Sequence, residues 1–275
     1  MPAELIPPAA GPAALIPSAP PPPPGAADPV PAVPVPGVPD PPVQAAPRPP
    51  APIVTPGAPP GPIDQLDFVV VDVETTGWLP AEAAITDIGA VRFSNGHVLA
   101  HFSALVNPGS EIPAEISALT GITDAMAQRA PGIQTVLPRF LAFAEGSVLA
   151  AHHAAFDIGF LRAATTACGL DWPDFAVLDT VPLARMILGA GEVPDCKLAT
   201  LAGFFHARTM PCHRALPDAL ATVEVLQGLL GRLAVAGLRT LAELADGQAE
   251  LADGQAELAD GQAEPPSGRA DSAGG

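Results

Sequence analysis

The 275-residue chain carries a formal net charge of −17 and contains 37 prolines, 26 glycines, three cysteines and no tyrosine. No uninterrupted apolar run approaches ~18 residues, and no basic segment leads into a hydrophobic stretch at the N-terminus, so neither an apolar span nor a secretory signal is expected, and a cytoplasmic protein is. Cys168, Cys196 and Cys212 form an odd set without close paired spacing, which argues against a disulfide framework or zinc site and for reduced thiols.

In chain order, the first material is an arm. Of the 37 prolines, 25 precede Asp64, set among Ala, Gly and Val, a composition that favours polyproline II and cannot build a packed core. Residues 1–63 are therefore predicted to be a disordered arm, 64–238 one α/β domain, and 239–275 a disordered tail. The run 68–71 reads as a buried strand that ends in Asp72-Val73-Glu74-Thr75-Thr76-Gly77. Side chains alternate along a strand, so Asp72 and Glu74 share a face. Paired carboxylates suit a hard cation such as Mg²⁺, although acidic residues also end strands where the turn beyond is wet.

Residues 85–91 and 97–106 flank Ser94-Asn95-Gly96, a hairpin signal. Residues 134–145 read as a helix and 147–150 as a strand. The next segment, Ala151-His152-His153-Ala154-Ala155-Phe156-Asp157, opens a helix with Phe156, Phe160 and Leu161 on its core face and Asp157 at the edge of that stripe. A short strand at 175–179 and helices at 180–188 and 197–205 follow. The loop Cys212-His213-Arg214-Ala215-Leu216-Pro217-Asp218 then enters a long amphipathic helix with Leu220, Val223, Leu226, Leu230 and Leu233 on one face. Proline is tolerated in a first helical turn, which puts Asp218 there and His213 in the loop before it. Asp218 by itself reads as a helix-start carboxylate as readily as a catalytic one. After Thr240 the heptapeptide Ala-Glu-Leu-Ala-Asp-Gly-Gln occurs three times. One Leu per seven residues makes no coiled-coil seam, and each Gly costs a helix ~1 kcal/mol.

Asp-x-Glu-Thr-Thr-Gly, His-x-Ala-x-Phe-Asp-x-x-Phe-Leu and His-x-Ala-x-x-Asp, in this order, resemble the motifs of the DEDDh 3′–5′ exonucleases. That family includes the proofreading epsilon subunit of bacterial DNA polymerase III, RNase T and oligoribonuclease. The resemblance covers roughly residues 66–236 and implies a ribonuclease-H-like exonuclease fold, a mixed central sheet flanked by helices. It implies that Asp72, Glu74, Asp157 and Asp218 hold two Mg²⁺ ions, with Mn²⁺ able to substitute, and that His213 is the general base. It further implies that Thr75, Thr76 and Gly77 form the turn meeting the 3′-terminal nucleotide and that Phe160 packs against its base or sugar. His153 stands where relatives usually have Asn, and reads either as a hydrogen-bonded structural histidine or as a residue that alters how that nucleotide is held. Trp78 reads as a nucleotide platform or as a cap over the loop.

The domain itself is acidic: residues 61–240 carry 10 basic and 18 acidic side chains, an awkward balance for a polyanionic substrate unless dications reverse the field locally. Arg162, Arg185, Lys197, Arg208 and Arg214 read as solvent-exposed surface charge or as candidate phosphate contacts. Three functions stand open: a 3′–5′ DNA exonuclease releasing nucleoside 5′-monophosphates, favoured by the motif wording; a 3′–5′ exoribonuclease; and a binding module whose tails recruit a DNA polymerase or sliding clamp. No membrane partner is expected.

Overall fold

The computed structural model describes residues 53–55, 59–189 and 191–246. Strand β1 (Asp67–Thr75) lies at the centre because its sequence is apolar on both faces. On one side it pairs antiparallel with β2 (Ile85–Ser94), which pairs antiparallel with β3 (His97–Leu105). On the other it runs parallel to β4 (Val148–Ala151), which runs parallel to β5 (Val177–Asp179). The order is β3-β2-β1-β4-β5, the mixed sheet the motifs imply. Asn95 and Gly96, both at positive φ, make the two-residue turn between β2 and β3.

Helices cover both faces. Val69, Val71 and Val73 pack with residues of α3 (Ile133–Ala144) and α4 (Ala154–Ala167). Phe68 and Val70 pack with α5 (Thr180–Ile187), α6 (Leu198–Phe204) and α7 (Ala215–Ala236). Two short helices, α1 (Ala114–Thr120) and α2 (Asp124–Ala127), form a small separate cluster around Ile112, Ile116 and Ile122. They are absent from the sequence reading because each is too short to show a helical period. Helix α7 is long and apolar enough to cross a membrane by length and composition, yet it lies along the sheet with Val225, Leu226, Leu229 and Leu233 fully buried.

Two glycines set how closely α7 approaches. A Cβ on Gly89 of β2 would lie 2.1 Å from the Ala215 carbonyl carbon, so the first turn of α7 rests directly on the β2 backbone. A Cβ on Gly228 would lie 2.3 Å from the Phe205 ring, which brings the end of α6 against α7.

The domain is wider than the expected 64–238. Ile53 and Val54 are buried, and residues 53–55 pair with the β5 edge: Thr55 N–H donates to the Val177 carbonyl (3.0 Å) and Asp179 N–H to the Ile53 carbonyl (2.9 Å). Ile63 N–H donates to the Arg239 carbonyl at 2.6 Å, tying the two ends of the domain together. At the far end Thr240 and Glu243 cap each other's backbone, and Leu241 and Leu244 are fully buried. The first heptapeptide copy thus begins inside the core. A Pro-rich composition hid the arm's last apolar residues, and the repeat pattern hid the first copy's docking. Residues 1–52 and 56–58 of the arm, and the tail from residue 247, lie outside the described residues.

Burying an Ile or Val side chain contributes about 1.5–3 kcal/mol, and for a domain this size each kcal/mol moves Tm by ~2–4 °C. A chain starting at residue 61 is therefore expected to melt on the order of 10 °C below one starting at residue 51, measured by circular dichroism. Equal melting temperatures would mean that residues 53–55 contribute no stability.

Candidate active site

The alternation that buries Phe68 and Val70 continues along β1 and sends Asp72 and Glu74 out on the same face, toward the N-terminus of α7. Asp218, in the first turn of α7, meets them there: one ligand oxygen from each of Asp72, Glu74 and Asp218 falls within 4.8 Å of the others. Asp157 arrives from the first turn of α4. Strand β4 pairs with β1 only along Phe68–Val70, leaving the rest of that β1 edge without a strand partner. Asp157 Oδ1 accepts the Val73 N–H there at 3.0 Å. The edge where the ladder ends is thereby closed by a carboxylate.

Asp218 has two tasks. Its Oδ1 accepts the Cys212 N–H (2.7 Å) and its Oδ2 the His213 N–H (3.1 Å), which folds the preceding loop back on the helix. His213 adopts φ 57°, and its exposed side chain lines the same cleft. The start of α4 is fixed similarly. Asp179, at the end of β5, accepts N–H bonds from His153 (3.2 Å), Ala154 (3.0 Å) and Val181 (2.9 Å). His153 itself has φ 69° and borders the cleft.

Crowding and burial make the charged state costly. Burial first, then Asp157, Glu74 and Asp218, push the Asp72 pKa well above the usual carboxylate range. Burial and the charges of Asp218, Asp87 and Asp157 raise Glu74 to about 8. Burial also lifts Asp157 to about 8, against the opposing Val73 N–H. Asp218 is raised by burial, with the Cys212 and His213 amides opposing. Such a cluster of oxygen donors can hold a divalent cation, which removes the repulsion.

The cleft has a volume of ≈ 230 Å³. Thr75 and Gly77 line it, and the Thr75 hydroxyl donates to the Gly77 carbonyl at 2.5 Å. Thr76 instead closes the base of its loop, exchanging bonds with the Ala84 backbone at 2.8 and 3.0 Å. Phe160 is only 2% exposed and belongs to the core beneath the site, so the ring surface at the cleft comes from other residues. These are Phe156, tilted 53° to the Phe160 ring at 4.9 Å, and Trp78, 49% exposed and 6.3 Å from Phe156. Helix α1 adds Ile116, Leu119 and Thr120 on the facing wall. Their place at the cleft comes from the fold, which brings α1 over the end of β1.

Two expected phosphate contacts have partners within the domain. Arg214 forms an ion pair with Asp87 (3.6 Å), and the Arg162 guanidinium lies 5.4 Å from the Trp172 ring centre.

Residues 69–226 match the RNase T family model, described as an exonuclease family. A Mycobacterium tuberculosis protein provisionally named a bifunctional exonuclease/endonuclease is 52% identical over 184 residues, spanning 64% of this chain and 28% of that protein. A DNA polymerase III subunit epsilon-like protein of Rhodobacter capsulatus is 44% identical over 182 residues, spanning 65% and 26%. The chain thus spans little more than a quarter of the length of these relatives. Among solved structures, exonuclease X in complex with 5′-overhanging duplex DNA superposes with a TM-score of 0.52 at 25% identity, covering 66% of this chain and 99% of that one.

Carboxylates whose pKa is raised by folding destabilise the folded state as pH rises from their unfolded range through their folded values. His152, lowered to about 4 chiefly by burial, acts in the opposite sense, but only below its ordinary value of 6.5. Between pH 6.5 and 9 the metal-free protein is therefore expected to lose on the order of 5 °C in Tm, and added Mg²⁺ or Mn²⁺ at pH 8 to restore it. A flat profile in EDTA would show that the cluster is not strained.

Proposed function

The chain belongs to the RNase T exonuclease family, and we propose that it is a metal-dependent 3′–5′ exonuclease that hydrolyses DNA from its 3′ end and releases nucleoside 5′-monophosphates. The observation that carries this reading is the convergence of Asp72, Glu74 and Asp218 within 4.8 Å, beside Asp157 and His213. DNA is favoured over RNA because similar proteins include a polymerase III epsilon-like protein and an exonuclease bound to duplex DNA.

Asp72, Glu74, Asp157 and Asp218 would hold two Mg²⁺ ions, with Mn²⁺ able to substitute. Bound there, the ions supply positive charge against the charge that develops on the phosphodiester. The chain's own residues do the rest. His213 takes a proton from the attacking water as its oxygen bonds to phosphorus, the P–O3′ bond to the penultimate nucleotide breaks, and the departing O3′ takes a proton from solvent to leave a 3′-hydroxyl. The Asp218–backbone bonds hold the loop that carries this imidazole. Gly77 lets the backbone of the Thr75–Gly77 turn approach the terminal nucleotide, the Trp78 and Phe156 rings offer it stacking surface, and His153 contacts the strand at the start of α4. Sparse exposed cations give weak, salt-sensitive binding. A DNA polymerase or sliding clamp, reached through the tails, would supply the missing affinity. A cytoplasmic location agrees with such partners and with free thiols.

The test is product release from matched 5′-labelled single-stranded DNA and RNA in Mg²⁺, Mn²⁺ or EDTA. A metal-dependent ladder shortening from the 3′ end, faster on DNA and abolished in Asp72→Ala, is expected. Preferred cleavage of RNA would make the chain an exoribonuclease, and no cleavage of either would favour a binding module.

His213→Ala is expected to lower kcat by about 10²–10⁴ with little change in KM. An unchanged rate removes His213 from the role of base.

A further inference from the structure

We infer that Asp87, with Arg214 as its counterion, is a positioning residue that sets the His213–Asp218 segment over Asp72 and Glu74. This rests on the nuclease reading above.

Asp87 lies on β2 directly opposite Glu74 in the antiparallel pair, yet its carboxylate is turned to α7. It is 3% exposed, and Arg214 Nε lies 3.6 Å from its Oδ2. Arg214 is the residue immediately before α7 and immediately after His213, and it caps that helix with no side-chain bond of its own. Burial raises the Asp87 pKa, while Arg214 and the backbone N–H groups of Ile88 and Ala215 oppose the rise. The opposing groups thus include the first helical amide of α7. A carboxylate at a helix N-terminus is favourable, and here it comes from another strand. Two residues further along β2, Gly89 lets the Ala215 backbone rest on the sheet. Asp87 and Gly89 together form the seat of α7.

The seat matters because α7 brings two groups to the cleft. Asp218 reaches the cluster from its first turn, and the Asp218 carboxylate holds the His213 backbone. A shift at Arg214–Ala215 moves both relative to β1, and a misplacement of about 1 Å can cost a reaction ~10²-fold. The ion pair turns the Arg214 Nε toward Asp87 while the side chain stays half-exposed, which places this arginine to hold the loop. Leaving Asp87 buried without its counterion is unfavourable, which is why Arg214 and not a neutral residue stands there.

The test compares Arg214→Gln, Arg214→Lys and Asp87→Asn in the full chain. Arg214 is half-exposed, so its variants are expected to fold, with melting checked by circular dichroism. In Arg214→Gln, kcat should fall about 10–100-fold with KM within about twofold, and Arg214→Lys should recover part of the loss. Asp87→Asn should lower kcat similarly, and the double variant should lose no more than the worse single one. Arg214→Gln with a raised KM and unchanged kcat would overturn the inference and make Arg214 a phosphate contact.

Mn²⁺ binding, followed by electron paramagnetic resonance without nucleic acid, gives a readout independent of turnover. Removing a positive charge near the cluster would by charge alone tighten Mn²⁺ binding; loss of positioning would weaken it. Weaker binding in Arg214→Gln supports the inference even if the wild type cleaves nothing, in which case the nuclease reading alone fails. Tighter or unchanged binding overturns it.

Discussion

Mutual repulsion among carboxylates at one end of the sheet is the constraint around which this domain is organised. Asp72, Glu74 and Asp218 bring oxygens within 4.8 Å of each other, and Asp157 lies close enough to raise Asp72 further. Without a cation such a group is unfavourable when ionised. The fold holds it by anchoring each acid that comes from a helix to backbone amides: Asp157 to Val73, Asp218 to Cys212 and His213. Asp72 and Glu74 need no such anchor, because they are held by β1 itself, the most enclosed strand of the sheet.

The anchoring carboxylates extend beyond the cluster. Asp179 gathers the starts of α4 and α5, and Asp87 faces the start of α7. Both are buried; Asp179 accepts backbone N–H bonds at the starts of α4 and α5, and Asp87 pairs with Arg214, the residue just before α7. The positive ends of α4 and α7 consequently converge on the cleft, a favourable field for an anionic substrate in an otherwise acidic domain.

Aromatic surface at the cleft follows from a run of tilted ring contacts. Phe160 is sealed in the core, Phe156 sits on it, and Trp78 leans over Phe156 from the loop after β1. Arg214 pairs with Asp87 and Arg162 lies over the Trp172 ring, so both cations also have contacts within the domain.

Much of this was legible in the sequence. Strand β1 and its acidic end, the β2–β3 turn at Asn95-Gly96, the helices carrying Asp157 and Asp218, and the loop position of His213 follow from period, turn chemistry and proline placement, all of which act over a few residues. What was not legible depends on contacts distant in sequence. Ile53 and Val54 look like part of a proline-rich arm until the β5 edge offers them hydrogen bonds. Leu244 looks like one copy of a repeat until the core takes it in. Phe160 and Phe156 share a helical face, and only packing decides which is sealed beneath the other. Residue identity determined which groups can hold a cation, take a proton or stack on a base. Tertiary structure decided which of them meet, because a carboxylate's charge acts over a few ångströms and the chain brings β1, α4 and α7 within that range only when folded.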